Sequence, residues 1–149
     1  TRYVPEFFKW MNAIENSRAN QTYNTPAIAT LFFLNEQLKL MHNLGFKEVV
    51  RQSEARAKMV YDWAESRPYL SPYIQDPSFR SPAVATIDVD SKYPVEELTK
   101  VLRQKNIAVD IDGYRKLGRN QFRIGMFHNI SYENLEKLTK IIDLALQGA

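Results

Sequence analysis

Four prolines, Pro68, Pro72, Pro77 and Pro82, divide the chain into two parts with different periodicity. Proline has no backbone N–H and a fixed φ, so closely spaced prolines exclude a helix interior and a central strand. This stretch is therefore predicted to be loop or edge strand. Apolar residues recur at helical spacing before it, whereas short runs of strand-forming residues follow it.

The first part is predicted to be a helical arm. Its predicted elements are a short helix from Pro5, a polar loop over 16–25, a helix from Pro26 to Gly45 and a helix over 47–65. Thr25 and Pro26 form a start signal for the second helix, and Gly45 is a typical C-terminal cap. Residues 27–34 are apolar on all sides, which predicts a buried helix with Phe32 and Phe33 in the core.

The second part combines strands and helices. Its predicted elements are strands over 83–89, 107–111 and 122–127, a helix over 94–105 and a helix that Ser131 caps. This order predicts the α+β class, with a short sheet covered by helices on one face as a two-layer sandwich. We expect residues 1–66 to form the arm and residues 67–149 to form the α+β domain.

Composition excludes several classes of protein. The chain of 149 residues has no cysteine, which excludes disulfides and thiolate metal sites, and it has no apolar run long enough to cross a membrane. A net charge of +3 is weak for nucleic-acid binding, although basic residues concentrate between positions 100 and 123. The start at Thr1, without Met or a signal sequence, predicts a fragment of a longer protein, and we expect a cytosolic location.

One candidate site is the polar segment at residues 21–26. It places an amide, hydroxyls and unpaired backbone N–H groups at the start of an apolar helix, an arrangement that attracts phosphate. The alternative is a plain helix cap, in which Thr25 binds only its own helix. The sequence by itself leaves both interpretations open.

A second candidate site is the basic loop at residues 113–123. Side chains alternate along a strand, so Arg123 is predicted to project away from the apolar side chains of Phe122 and Ile124. A guanidinium on a rigid strand is suited to a bidentate contact with a carboxylate. The alternative is an exposed loop with solvated charges. His42 and His128 are too few and too far apart in sequence to predict a metal site.

Three motifs resemble phosphoserine aminotransferases in their order and spacing. They are residues 23–27 (YNTPA), 63–69 (WAESRPY) and 114–123 (YRKLGRNQFR). The resemblance covers essentially the whole chain, which would be a little under half of a complete family member. It implies the small C-terminal domain of a fold-type I aminotransferase. It also implies a pyridoxal-phosphate enzyme of serine biosynthesis that transfers an amino group between O-phosphoserine and 2-oxoglutarate.

The resemblance also implies roles for individual residues. Asn24 and Thr25 are expected to bind the cofactor phosphate of the neighbouring subunit in a homodimer. Arg123 is expected to hold the substrate α-carboxylate, and Arg115 the substrate phosphate. The lysine that binds the cofactor covalently lies upstream in the family, so this stretch is expected to contain no catalytic residue and to be inactive alone.

Two differences from the family pattern concern the basic loop. Tyr114 stands where many members have histidine, and Arg115 is two residues farther from Arg123 than in those members. Arg119 is therefore a second candidate for the contact with the substrate phosphate, and the sequence does not decide between Arg115 and Arg119. The rival hypotheses are a domain that binds an anionic metabolite without catalysis and a nucleic-acid-binding domain, which the scarcity of exposed sheet aromatics disfavours.

Overall fold

A computed structural model describes residues 2–147, except for the side chain of Arg115. The helices are α1 (Trp10–Arg18), α2 (Ile28–Leu44), α3 (Phe46–Glu65), α4 (Val95–Gln104) and α5 (Tyr132–Gln147), and the strands are β1 (Leu70–Pro72), β2 (Val84–Val89) and β3 (Gln121–Gly125). The chain divides into two compact units, one up to Asn43 and one from Leu44 onward. Short 3-10 turns occupy Glu6–Phe8, Pro77–Phe79 and Arg115–Leu117.

Unit 1, up to Asn43, consists of α1 and α2. None of the residues of these helices is buried. The prediction that Phe32 and Phe33 are core residues is wrong for the described structure, because they are 59% and 67% exposed. A helix that is apolar on all sides becomes buried only where other elements surround it, and the sequence pattern does not reveal whether they do.

Unit 2, from Leu44 onward, is a three-stranded antiparallel sheet with helices on one face, so the predicted α+β class is confirmed. The strand order is β1-β2-β3, with Leu70 opposite Val89 and Ile87 opposite Phe122. The predicted boundary between residues 66 and 67 lies one helix later than the division at Asn43. Helix α3 belongs to unit 2 because its buried face packs on the sheet and on α5.

The core of unit 2 lies between the sheet and helices α3, α4 and α5. The sheet contributes Ala85, Ile87, Phe122 and Ile124, each at most 1% exposed. Full burial of one such large side chain stabilises a fold by about 1.5–3 kcal/mol. Because these side chains all point to the helices, their neighbours along β2 and β3 point to the opposite face.

The predicted strand at residues 107–111 is wrong. Asn106, just before this segment, and Asp110, within it, have positive φ angles of 54° and 57°, which interrupt an extended conformation. What remains is one bridge between Asp112 and Phe122 and a hydrogen bond from the Arg123 N–H to the Ile111 carbonyl (2.9 Å). The stretch with four prolines was predicted to be loop or edge strand. It contains β1, which lies at the edge of the sheet.

The motif at residues 63–69 converges on Asp143 of α5. The Asp143 carboxylate accepts hydrogen bonds from Trp63 Nε1 (3.0 Å) and Tyr69 OH (3.0 Å), and from two nitrogens of Arg67, the shorter at 2.6 Å. Burial raises the pKa of Asp143, but the hydrogen bonds from Arg67, Trp63 and Tyr69 outweigh burial and leave the pKa below its ordinary value. This cluster joins the end of α3, the start of β1 and α5.

Candidate functional site

The face of the sheet opposite the helices carries the polar side chains of β2 and β3. We call it the open face and define it by Thr86, Asp88, Gln121 and Arg123. Thr86 lies opposite Arg123 in the register, and Asp88 lies opposite Gln121. The predicted direction of Arg123 is confirmed, since Phe122 and Ile124 are buried and Arg123 is exposed between them.

Arg123 is held by its backbone and has an unengaged side chain. Its N–H donates to Ile111 on one side, and Thr86 pairs with it on the other. No hydrogen bond or ion pair joins its guanidinium to another side chain of residues 2–147 that the structure describes. A cation on a rigid strand, without an internal counter-ion, can bind an anionic group from outside without first losing an internal partner.

A glycine next to Arg123 shapes the same face. A Cβ on Gly125 would approach the ring of Phe127 to 3.1 Å, so the absence of a side chain lets that ring lie against the strand. Phe127 is half exposed and lies two residues after the end of β3. Gly125 thus lets a half-exposed apolar ring lie against the end of β3.

Arg119 contacts the open face through Asp88. Its Nε and one terminal nitrogen donate to the two oxygens of Asp88 at 3.1 and 2.8 Å. Its guanidinium also lies over the ring of Tyr73, 5.1 Å from the centroid. The hydrogen bonds with Asp88 raise the pKa of Arg119. Neither contact of Arg119 could be predicted from the sequence, because Asp88 and Tyr73 are distant from it along the chain.

The loop at residues 113–119, which lies between α4 and β3, is attached at both ends. At its start, a Cβ on Gly113 would come within 2.9 Å of Gln121 Cβ, so only glycine allows this approach. Asp112, just before it, accepts hydrogen bonds from Thr99 (2.6 Å) and Arg103 (2.7 Å) of α4. At its end, Gly118 has a φ of 65°, the left-handed region that glycine tolerates, and the chain turns there into Arg119.

The middle of this loop carries the other predicted contacts. Tyr114 is 55% exposed, and the backbone N–H of Leu117 donates to its carbonyl (2.9 Å) across the 3-10 turn Arg115–Leu117. The side chain of Arg115 lies outside the described part of the structure, so its predicted contact stays a prediction. A cleft of about 630 Å³ lies between the loop and α4, bordered by Thr99, Arg103 and Gly113.

Asn24 and Thr25 lie in unit 1, in the segment before α2. Both are exposed, and neither side chain has a hydrogen-bond partner among the residues the structure describes. Helix α2 begins at Ile28, three residues after Thr25. Thr25 does not form the plain cap that was the alternative interpretation, and its hydroxyl and the Asn24 amide are available to an external acceptor such as a phosphate.

No group of three or more His, Asp or Glu side chains within residues 2–147 could hold a metal ion. Nor does any helix of this range have the length and apolar character needed to cross a membrane.

Comparisons with known proteins agree in one family. The model of the class-V aminotransferases matches residues 7–136. The chain is 47% identical to the phosphoserine aminotransferase of Corynebacterium glutamicum over 99% of its length, and 43% identical over 95% to a putative phosphoserine aminotransferase of Mycobacterium leprae. It covers 39% and 38% of those relatives.

The fold has a close match among solved structures. The phosphoserine aminotransferase of Bacillus circulans subsp. alkalophilus superposes with a TM-score of 0.79 at 22% sequence identity. This match covers 97% of the chain and 39% of that structure. At this identity the match shows the fold alone. The chain thus spans about two fifths of the length of the proteins it resembles.

Proposed function

Because the chain belongs to the class-V aminotransferase family, we propose that the complete protein is a phosphoserine aminotransferase. It would transfer an amino group between O-phosphoserine and 2-oxoglutarate. The identity of 47% over 99% of the chain supports this assignment. A cytosolic location, expected from the composition, and a homodimer, implied by the resemblance, are parts of the same proposal. A domain that binds an anionic metabolite without catalysis is less well supported, because the similarity to aminotransferases covers nearly every residue.

The observation that carries the proposal is the unengaged guanidinium of Arg123 on the open face. Both substrates have an α-carboxylate next to the carbon that gains or loses the amino group. A planar guanidinium can bind a carboxylate through two parallel hydrogen bonds, which sets the orientation of that carbon as well as its position. One arginine on a rigid strand can therefore serve both directions of the reaction.

The two substrates differ at the other end, where one carries a phosphate and the other a carboxylate. We assign this end to the loop between α4 and β3, with Arg115 and Tyr114 as its contacts. A tyrosine hydroxyl donates a hydrogen bond to either group, and an arginine adds charge. Arg119 belongs to the same loop, but its guanidinium is engaged by Asp88.

The residues of unit 1 fit the phosphate of pyridoxal phosphate. Asn24 offers an amide, Thr25 a hydroxyl, and the first turn of α2 adds backbone N–H groups, which together are typical donors to a phosphate. When bound, the cofactor acts as an electron sink that stabilises negative charge at the substrate carbon. We propose that Asn24 and Thr25 hold it in the site of the neighbouring subunit. The lysine that binds it covalently would come from the remainder of the protein.

The test is steady-state kinetics of the complete protein with the substitution Arg123→Lys. Lysine retains the charge but not the fork, so we expect kcat/KM to fall for both substrates, by about 2–4 kcal/mol of transition-state stabilisation. Arg115→Lys should instead impair the phosphorylated substrate more than the dicarboxylate. Arg51→Lys is the control, since Arg51 contacts only Glu48 on the outer surface of α3. A normal rate with either substrate in Arg123→Lys contradicts a shared anchor.

A further inference from the structure

We infer that Asp88 is a positioning residue for substrate recognition: by binding Arg119, it attaches the loop at residues 113–119 to the open face beside Arg123. The loop position then sets the affinity for the end of the substrate that lies away from the α-carboxylate. This inference rests on the proposed function. It assigns Arg119 to the support of the loop rather than to direct contact with the substrate.

The geometry around Asp88 supports a fixed attachment. One oxygen accepts from Gln121 Nε2 (2.7 Å) and from Arg119 Nε (3.1 Å), and the other accepts from the Arg119 terminal nitrogen (2.8 Å). Gln121 is only 2% exposed, so it holds the carboxylate in one orientation. A bidentate pair with an oriented carboxylate restricts the guanidinium in both position and plane.

Tyr73 restricts Arg119 from a second direction. Its ring lies 5.1 Å from the guanidinium, and its backbone N–H donates to the carbonyl of Thr86 (2.9 Å). The backbone of Tyr73 is thereby attached to β2, the strand that carries Asp88. Arg119 is thus held by two residues that both belong to or pair with the sheet. This arrangement favours a structural role for Arg119, because an arginine that binds substrate would have to leave these partners.

The attachment at Arg119 completes the fixation of the loop. Its other end is fixed where Gly113 packs on Gln121. Between these ends lies the turn Arg115–Leu117, and Tyr114 and Leu117 are exposed. Releasing Arg119 would leave one end attached, so the loop residues would have to be ordered each time a substrate binds. That ordering cost lowers affinity without changing the reacting groups.

Two variants distinguish between the two possible roles of Arg119, support of the loop and direct contact with the substrate. Asp88→Asn keeps an oxygen for Gln121 but removes the charge and the second oxygen of the fork. Arg119→Gln removes the guanidinium. If Arg119 supports the loop, the two variants have the same effect, and the double variant is no worse than either. If Arg119 binds the substrate directly, Arg119→Gln weakens binding while Asp88→Asn leaves it unchanged or improves it.

The experiment measures KM and kcat of the complete protein for O-phosphoserine in the wild type, both single variants and the double variant. We expect KM to rise about tenfold in all three variants, which is a typical coupling for contacting residues, while kcat changes less than about threefold. Divergent single variants, additive losses or wild-type KM values overturn the inference. Asp62→Asn is the control, because it removes an exposed ion pair with Lys58 on α3.

Hydrogen exchange gives a second readout that does not need activity. Amide exchange at residues 113–119 should accelerate in Asp88→Asn and in Arg119→Gln, while exchange in α5 stays at the wild-type rate. If the wild-type protein shows no aminotransferase activity, the proposed function fails, and this measurement still decides whether Asp88 holds the loop. Unchanged exchange in both variants overturns the inference whatever the activity.

Discussion

The cluster around Asp143 allows a quantitative prediction about the stability of unit 2. In Asp143→Asn, the remaining carbonyl can still accept from Trp63 and Tyr69, so the main loss is the charged contact with Arg67. Hydrogen bonds to charged groups contribute about 1.5–3 kcal/mol. Because the Arg67 side chain is 33% exposed, solvent screening reduces this, and we expect a loss of about 1–2 kcal/mol.

A larger loss is expected for Asp143→Ala. It removes every acceptor and leaves the indole N–H of Trp63, a residue only 7% exposed, without its partner. An unsatisfied buried donor costs about 1–3 kcal/mol, so the total should reach about 3–4 kcal/mol. Urea unfolding of the chain in a Trp10→Phe background reports on Trp63, the one other tryptophan. Asp62→Asn, at an exposed pair, should change stability by less than about 0.5 kcal/mol.

The dependence of these losses on pH has a definite sign. The pKa of Asp143 is lower in the folded state than its ordinary value of 3.8. A lowered pKa stabilises the fold fully above the unfolded value, and that stabilisation disappears as the pH falls through the folded value. The difference between wild type and Asp143→Asn should therefore be constant at neutral pH and shrink below pH 3.8. Equal effects of Asp143→Asn and Asp62→Asn at neutral pH would refute the role of the cluster.

The remaining predictions concern the cofactor. In the complete protein, Thr25→Ala should weaken retention of pyridoxal phosphate by about 1–3 kcal/mol, measured as loss of cofactor absorbance on dialysis. Ser17→Ala, in α1 and outside the candidate segment, is the control. Hybrid dimers can pair subunits in which Thr25→Ala and loss of the cofactor-binding lysine lie in the same chain or in different chains. We expect Thr25→Ala to impair the site whose lysine belongs to the neighbouring subunit. An effect confined to the site of its own subunit contradicts this. The 149-residue chain alone should acquire no saturable, borohydride-fixed cofactor on a single lysine, and such a product would show that the chain contains the binding lysine.

The sequence pattern predicted the structure correctly where a short periodicity in the sequence determines it. The alternation in β3 predicted that Arg123 points away from Phe122, because successive side chains on a strand point to opposite faces. Proline spacing likewise restricted β1 to the edge of the sheet. The strand predicted at residues 107–111 did not form, because left-handed angles at Asn106 and Asp110 interrupt it. Asparagine and aspartate tolerate such angles, but do not require them.

Tertiary structure alone decided which charged groups meet. Arg119 and Asp88 are 31 residues apart, and Arg67 and Asp143 are 76 apart, so no local period links them. The burial predicted for α2 was wrong for the same reason, because an apolar pattern does not show which elements, if any, cover the helix. The sequence by itself determined the fold class, the face of Arg123 and the family resemblance, because these depend on neighbours along the chain. The pairing of Arg119 with Asp88 depended on the strand register, which brings distant residues onto one face of the sheet.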